Sequence, residues 1–232
     1  MNGGADALID AFLETLGTDG TLMVPTFNYS VDDYFDPRET PSRTGAITEC
    51  LRNRKQAVRS LHPTHSVATI GAKAAQYTEG HEEVGAFGIN SPIDKLAKAG
   101  GHTLLLGVKH DTSSAVHVGE CWAGTAYWGA PTRPNPPKEA RAMLSDGSLI
   151  TVALTGQPHC SVAFGIIEMP LRKTGSITDL KIGLAACQLM KTQSIIDRTV
   201  ELLHEKEDIL LCTNPDCYSC SHAREFSRSR TH

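Results

Sequence analysis

The chain has 232 residues, of which 40% are hydrophobic and 21% charged, and its formal net charge is −4. This composition is typical of a globular protein with a substantial core, and the acidic balance argues against the basic face of a nucleic-acid-binding protein. No apolar run approaches the ~20 residues that span a bilayer, and the N-terminus lacks a signal-peptide pattern. We therefore expect a cytoplasmic protein with neither nucleic-acid nor membrane partners.

The chain contains seven cysteines, an odd number. The isolated ones lie within apolar or mixed segments, and they are Cys50, Cys121, Cys160 and Cys187. This pattern predicts reduced, packed thiols rather than a disulfide framework.

The first half of the chain alternates predicted helices and strands. Apolar residues of Gly4–Leu16 fall on one helical stripe, with Gly17 as the stop. Further on we predict a strand at 21–24, an ordered loop at 26–43, a helix at 45–53, a strand at 67–70, a helix at 92–100 and a strand at 102–108. The leucine-rich run at 102–108 suits a strand buried on both faces of a parallel sheet.

The second half begins with a proline-rich segment, 130–138, which we expect to connect two halves of the fold. A hairpin follows around Asp146 and Gly147, then a helix over Thr192–Glu205 and a strand at 209–211, while 221–232 are expected to be a frayed tail. The fold class is therefore α/β. We expect one domain over 1–232 with a mixed, mostly parallel sheet flanked by helices, and an antiparallel hairpin in the C-terminal half.

The segment HTLLLGVKHDTSSAVHVGE, residues 102–120, carries the clearest chemistry. Asp111 and Thr112 are predicted to cap a helix on which His117 and Glu120 lie one turn apart. A carboxylate at this spacing fixes the imidazole tautomer and makes it a better base. The alternative is a solvated surface pair, but a position after the carboxyl end of a strand favours a site.

Several segments resemble one family in order and spacing. GGADALIDAFLETLGTDGTLMVPTF, FDPRETPSRTGAITECLR, RSLHPTHS, SPIDKLAKAGGHTLLLGV and HDTSSAVHVGE cover most of residues 3–120, and HCSVAFGIIEMPLRKTGSI continues the pattern. Together they resemble the aminoglycoside 3-N-acetyltransferase family.

The resemblance implies acetyl transfer from acetyl-coenzyme A, with no metal, to the 3-amino group of a deoxystreptamine ring, which confers antibiotic resistance. The family's catalytic histidine, glutamate and aspartate correspond to His117, Glu120 and Asp111. A basic His117 would remove the proton that prevents an ammonium group from attacking a thioester. Another small amine is the alternative acceptor, and the protein is expected to be a monomer or homodimer.

The resemblance also implies binding residues, each with a structural alternative. Gly3, Gly4 and Ala5 open the first helix, where they either admit the coenzyme or only cap the helix. His62 either positions substrate or holds its own turn, and His110 is expected to line the pocket. Carboxylates hold the ammonium groups of an aminoglycoside well, although some of these are expected to be merely solvated: Asp32, Asp33 and Asp36.

Relatives have an N-terminal helix and a first strand before the glycine pair, so we expect a truncated chain, with an inactive family member as one alternative. Two other classes remain open. Three C-terminal cysteines and a histidine have C-x4-C-x2-C-x-H spacing, which fits a zinc-stabilised binding module: Cys212, Cys217, Cys220 and His222. A nucleophilic Cys121 or Cys160 is the other, although the acid before Cys121 disfavours a thiolate there.

Overall fold

The computed structural model describes residues 3–30 and 32–230. The chain forms two compact units, of which unit 1 comprises 1–86 and 137–155, and unit 2 comprises 87–136 and 156–232. One crossing between the units, at 136/137, falls within the predicted connecting segment 130–138. The single domain expected over 1–232 stays a prediction.

The elements follow in chain order. The helices are α1 Gly4–Leu16, α2 Ala46–Arg52, α3 Ala74–Thr78, α4 Pro92–Lys98, α5 Ser114–Ala123, α6 Glu168–Lys173, α7 Thr192–Glu205 and α8 Tyr218–Arg230. The strands are β1 Thr21–Pro25, β2 Tyr34–Phe35, β3 Val58–Arg59, β4 Val67–Gly71, β5 His102–Leu106, β6 Glu139–Met143, β7 Leu149–Ala153, β8 Thr178–Ile182 and β9 Ala185–Lys191. Short 3₁₀ helices span His81–Glu83, His110–Thr112 and Phe164–Ile167.

Unit 1 contains two small sheets. One has the order β1-β4-β3 with antiparallel pairs, and the other has the order β2-β6-β7, in which β2 and β6 are parallel. The predicted helix α1 is confirmed, and it ends where the N–H of Gly17 donates to the Leu13 carbonyl at 3.0 Å. Ile9 of α1 packs with Leu51 and Ile70 in the core of this unit.

Unit 2 contains the sheet β5-β9-β8, whose pairs are all antiparallel. The mixed α/β class is confirmed, but a mostly parallel sheet is confirmed only in part, because β2 and β6 form the one parallel pair among the described strands. The prediction that 102–108 is a parallel strand buried on both faces is wrong, since β5 pairs antiparallel with β9 and only Leu105 in it is fully buried.

Close packing of α5 on α7 fixes the helix that carries His117. A Cβ on Gly119 would lie 2.4 Å from Cβ of Thr199, so only glycine lets the two helices approach this far. Residues of both helices, including Val116 and Ile195, are fully buried in the core of unit 2. His117 and Glu120 of α5 are buried as well.

The C-terminal region differs from the sequence prediction. Residues 209–211 form turns instead of a strand, and 218–230 form α8 instead of a frayed tail, with residues 231–232 outside the described part. Cys220 and Ala223 of α8 are fully buried, which explains why a mostly polar segment is ordered. Within the described ranges, none of the helices combines the length and apolarity that crossing a membrane requires.

Candidate active site

His117 and Glu120 meet inside unit 2. Nδ1 of His117 lies 2.6 Å from Oε2 of Glu120, and the two residues are 6% and 0% exposed. A carboxylate only accepts hydrogen bonds, so Nδ1 of the imidazole carries the proton and donates it. The lone pair of a neutral His117 is therefore on Nε2, the nitrogen that a base would use.

Tyr127 completes this arrangement, and sequence reasoning missed it. Its hydroxyl donates to Oε1 of Glu120 at 2.9 Å, so both oxygens of the carboxylate are engaged. Burial raises the pKa of Tyr127, and the Glu120 charge raises it further, so the phenol remains a donor. The chain returns toward α5 after Gly124, which has a left-handed φ of 63°, and no spacing rule links Tyr127 to Glu120.

Aromatic rings hold the imidazole of His117 in place. The ring centroids of Phe87 and Phe164 lie 5.1 and 4.7 Å from it. In the ranges 3–30 and 32–230, Nε2 of His117 has no hydrogen-bond partner. The ring is thus fixed by Nδ1 and by packing, while Nε2 is left for chemistry.

Asp111 and His110 lie on the 3₁₀ helix just before α5. The prediction that Asp111 and Thr112 cap α5 is wrong, because the N-cap residue is Ser113 and Asp111 is exposed. His110 is fully buried, and burial lowers its pKa, although the Glu168 carboxylate opposes this shift. His110 is therefore a neutral, enclosed ring.

His62 belongs to unit 1, where its contacts match the turn histidine expected as one alternative. Nδ1 accepts the backbone N–H groups of His65 at 3.1 Å and Thr64 at 3.4 Å, and the ring lies 4.8 Å from that of His81. Burial lowers the pKa of His62 to about 4. The proton of this neutral ring is on Nε2, which is buried without a partner among the described residues.

The glycines predicted to admit the coenzyme open α1 of unit 1. Gly3 and Gly4 have φ values of 101° and 59°, and Gly3, the N-cap residue, makes no side-chain cap hydrogen bond. A Cβ on Gly3 would lie 2.6 Å from Cβ of Ala7, whereas the space beside Gly4 is open. The backbone thus favours glycine at both positions, and among the residues that the structure describes no side chain caps the first N–H groups of α1, which include that of Ala5.

The three aspartates predicted to bind ammonium groups, also in unit 1, differ in their surroundings. Asp32 is exposed, and the exposed Asp33 forms an ion pair with Arg141. Oδ1 of Asp36 accepts the backbone N–H groups of Arg38 at 2.8 Å and Glu39 at 3.3 Å, so this carboxylate stabilises a turn.

The cysteines give no support to a thiol nucleophile. Burial raises the pKa of both Cys121 and Cys160, which makes their thiolates scarcer. His222 does not join the three C-terminal cysteines as ligand spacing predicted, and its ring lies against Tyr218 and Glu225 instead. The fourth sulfur atom close to those of the three C-terminal cysteines is that of Cys160.

Comparisons with known proteins show which proteins this chain is similar to. A family model described as aminoglycoside 3-N-acetyltransferase matches residues 1–204. Aminoglycoside N(3)-acetyltransferase IV from Salmonella sp. is 27% identical over 198 residues, which cover 84% of this chain and 72% of the relative.

Two solved structures are similar over most of the chain. A mutant of aminoglycoside acetyltransferase AAC(3)-IVa in complex with gentamicin superposes with a TM-score of 0.84 at 25% identity, covering 97% of this chain and 85% of that one. The binary complex of AAC-IIIb with CoASH has a TM-score of 0.72 at 27% identity, covering 88% and 85%.

Proposed function

Because the chain belongs to the aminoglycoside 3-N-acetyltransferase family, we propose that it transfers the acetyl group of acetyl-coenzyme A to the 3-amino group of an aminoglycoside and so confers resistance. The observation that carries this proposal is the buried His117–Glu120 pair, with Nδ1 and Oε2 2.6 Å apart and Nε2 available. The two substrate classes are inferred from similar structures, because AAC-IIIb was solved with CoASH and AAC(3)-IVa with gentamicin.

His117 performs the proton transfers. An ammonium group has no lone pair, so Nε2 of His117 first takes a proton from the acceptor. The freed amine nitrogen attacks the thioester carbonyl, a C–N bond forms, and the C–S bond breaks. The imidazolium of His117 then gives this proton to the departing thiolate, and the second N–H proton, which the nitrogen loses as it becomes an amide, goes to solvent, so the ring is neutral again after each turnover.

Glu120 and Tyr127 support this cycle without exchanging protons with the substrate. The negative charge of Glu120, 2.6 Å from Nδ1, stabilises the imidazolium that forms when His117 takes a proton. Tyr127 holds the second carboxylate oxygen at 2.9 Å and keeps the carboxylate aimed at the ring. The exposed Asp111, just before α5, is proposed to attract the cationic acceptor, and the buried His110 to line the pocket.

The N-terminus of α1 is proposed to bind the coenzyme. Acetyl-coenzyme A supplies the activated acetyl thioester and brings phosphate groups. No side chain of residues 3–30 or 32–230 caps the backbone N–H groups of Gly4 and Ala5, and the absence of a side chain on Gly3 and Gly4 lets a phosphate approach them.

Acceptor contacts in unit 1 are proposed from the groups that remain available. The exposed carboxylate of Asp32 suits an ammonium group best, since Asp33 is shared with Arg141 and Asp36 with its own turn. The Nε2–H group of His62 is a donor without a partner among the described residues, which suits a hydroxyl of the acceptor. We further propose a cytoplasmic location, because all seven cysteines are free thiols.

The test is a thiol-release assay on the full chain with acetyl-coenzyme A and gentamicin, followed by NMR of the product. We expect one thiol released per acetyl group transferred, and acetylation at the 3-amino group alone. Gentamicin already acetylated at this amine is the matched control and should release no thiol. Acetylation of a different amine, or no release above the rate without acceptor, would contradict the proposal, and a panel of small amines would then identify the acceptor.

A further inference from the structure

Four cysteine sulfur atoms of unit 2 lie together, and none of them belongs to the His117–Glu120 pair. Each Sγ is within 4.8 Å of the other three, and all four thiols are free. We call this group the four-cysteine cluster, and its members are Cys160, Cys212, Cys217 and Cys220. Three separate stretches of chain contribute: one after β7, one after α7, and the start of α8.

The spacing of the cluster is close to that of a tetrahedral metal site. Zn²⁺ with four thiolate ligands at about 2.3 Å has sulfur atoms about 3.8 Å apart. The observed upper limit of 4.8 Å leaves less than about 1 Å of movement for each pair before the sulfur atoms could bind one ion. Four thiols rarely converge like this for packing alone, since an apolar core provides larger, unreactive side chains.

Hydrogen bonds around the four-cysteine cluster resemble those that commonly stabilise and orient the ligands of a metal site. The backbone N–H of Cys212 donates to Sγ of Cys220 at 3.2 Å, a contact that stabilises negative charge on sulfur. Nη2 of Arg224 donates to the carbonyls of Leu211 and Cys212 at 2.8 and 3.0 Å, which fixes the loop that brings Cys212 in.

From this arrangement we propose that the four-cysteine cluster binds one Zn²⁺ ion. Each thiol loses its proton to solvent as its sulfur binds the metal. Four protein sulfur ligands leave no open position, so the ion is structural and not catalytic. Cys212 and Cys220 are buried, whereas the half-buried Cys160 and Cys217 leave one side accessible for metal entry. This proposal revises the sequence expectation that no metal is bound.

The proposed zinc site has a direct structural connection to the active-site pair. Tyr127 belongs to the same buried cluster as Cys212 and Cys220, while its hydroxyl donates to Glu120. His159, next to Cys160 in the chain, contacts the Tyr127 ring at 5.4 Å and bonds Ser219 at 3.0 Å. The bound ion would thus hold in place the buried residues that surround Tyr127.

The test measures the metal in the purified full chain by mass spectrometry. We expect about one zinc per chain, and we expect replacement by Co²⁺ to give the absorption of a tetrahedral site with four thiolates. Removal of the metal with a strong chelator should lower the melting temperature by roughly 5 °C or more. Cys217→Ser should lose stoichiometric zinc, whereas the control Cys50→Ser, outside the cluster, should keep it.

The parent protein alone can overturn the proposal, even if Cys217→Ser does not fold. Titration of the denatured protein without reductant should find all seven thiols, since zinc thiolates are not oxidised. A disulfide among the four cysteines, a protein with no zinc, or one that holds iron instead would refute the zinc site. An unchanged melting temperature after complete metal removal would refute its structural role.

Discussion

His117 and His62 are both buried histidines, one in unit 2 and one in unit 1, yet their Nδ1 atoms have opposite roles. Nδ1 of His117 donates to the Glu120 carboxylate, whereas Nδ1 of His62 accepts the backbone N–H of His65. The first ring keeps its lone pair on Nε2, and the second keeps its hydrogen there. The partner of one nitrogen therefore decides whether the other is a base or a donor.

The largest effect that this comparison predicts is the loss of acetyl-transfer rate in His117→Ala. Loss of a positioned general base should lower acetyl transfer by ~100-fold or more while the protein stays folded. Thiol release under saturating substrates measures the rate, and circular dichroism checks the fold. The exposed His102→Ala is the matched control and should keep the parent rate. Equal rates for parent and His117→Ala would remove His117 from the chemistry.

A smaller effect is expected for Glu120→Gln, which keeps the shape of the side chain but removes its charge. The imidazolium of His117 would lose its counter-charge, so kcat should fall roughly 10- to 100-fold, with KM changed by less than about 3-fold. Glu205→Gln, at an exposed end of α7, provides the control for loss of one negative charge. A variant with lowered stability but unchanged kcat would show that Glu120 only packs.

The smallest effect concerns His62, and it is an effect on the pH dependence of the free energy of unfolding. Burial lowers the pKa of folded His62 to about 4 from its ordinary 6.5. Between these values the unfolded chain binds a proton that the folded protein excludes, so stability is complete above pH 6.5 and is lost as pH falls toward 4.

His62→Asn tests this linkage, because an asparagine oxygen can still accept the backbone N–H groups that Nδ1 accepts. Urea unfolding of the parent should lose on the order of 1 kcal/mol per pH unit near pH 5 from this residue, and His62→Asn should lose correspondingly less. Identical pH dependence of the two proteins would mean that folded His62 is protonated as readily as the unfolded residue.

Local patterns account for the parts of this protein that the sequence predicts. The bounds of α1 and α7, Gly4–Leu16 and Thr192–Glu205, match the predictions because an apolar stripe and its end signals lie within one segment. The i,i+3 spacing of His117 and Glu120 likewise brings them together on one helix. These relations are short-range, and no other part of the chain needs to be placed first.

Contacts between distant segments account for what the sequence does not predict. The direction of β5 depends on its pairing with β9, far along the chain, so the leucine-rich sequence of this segment did not reveal it. Tyr127 reaches Glu120 only after the turn at Gly124. In the same way Cys160, and not the nearby His222, joins the C-terminal cysteines, because tertiary folding and not spacing selects it.

The most direct test of the central claim is nitrogen NMR of the imidazole rings in the folded protein. Long-range proton–nitrogen spectra of uniformly labelled parent, assigned with His117→Ala and His62→Asn, report which ring nitrogen carries the hydrogen in the neutral form. The account predicts protonated Nδ1 and bare Nε2 for His117, and the reverse for His62. A neutral His117 with its hydrogen on Nε2 would contradict its assignment as the base that receives the acceptor's proton.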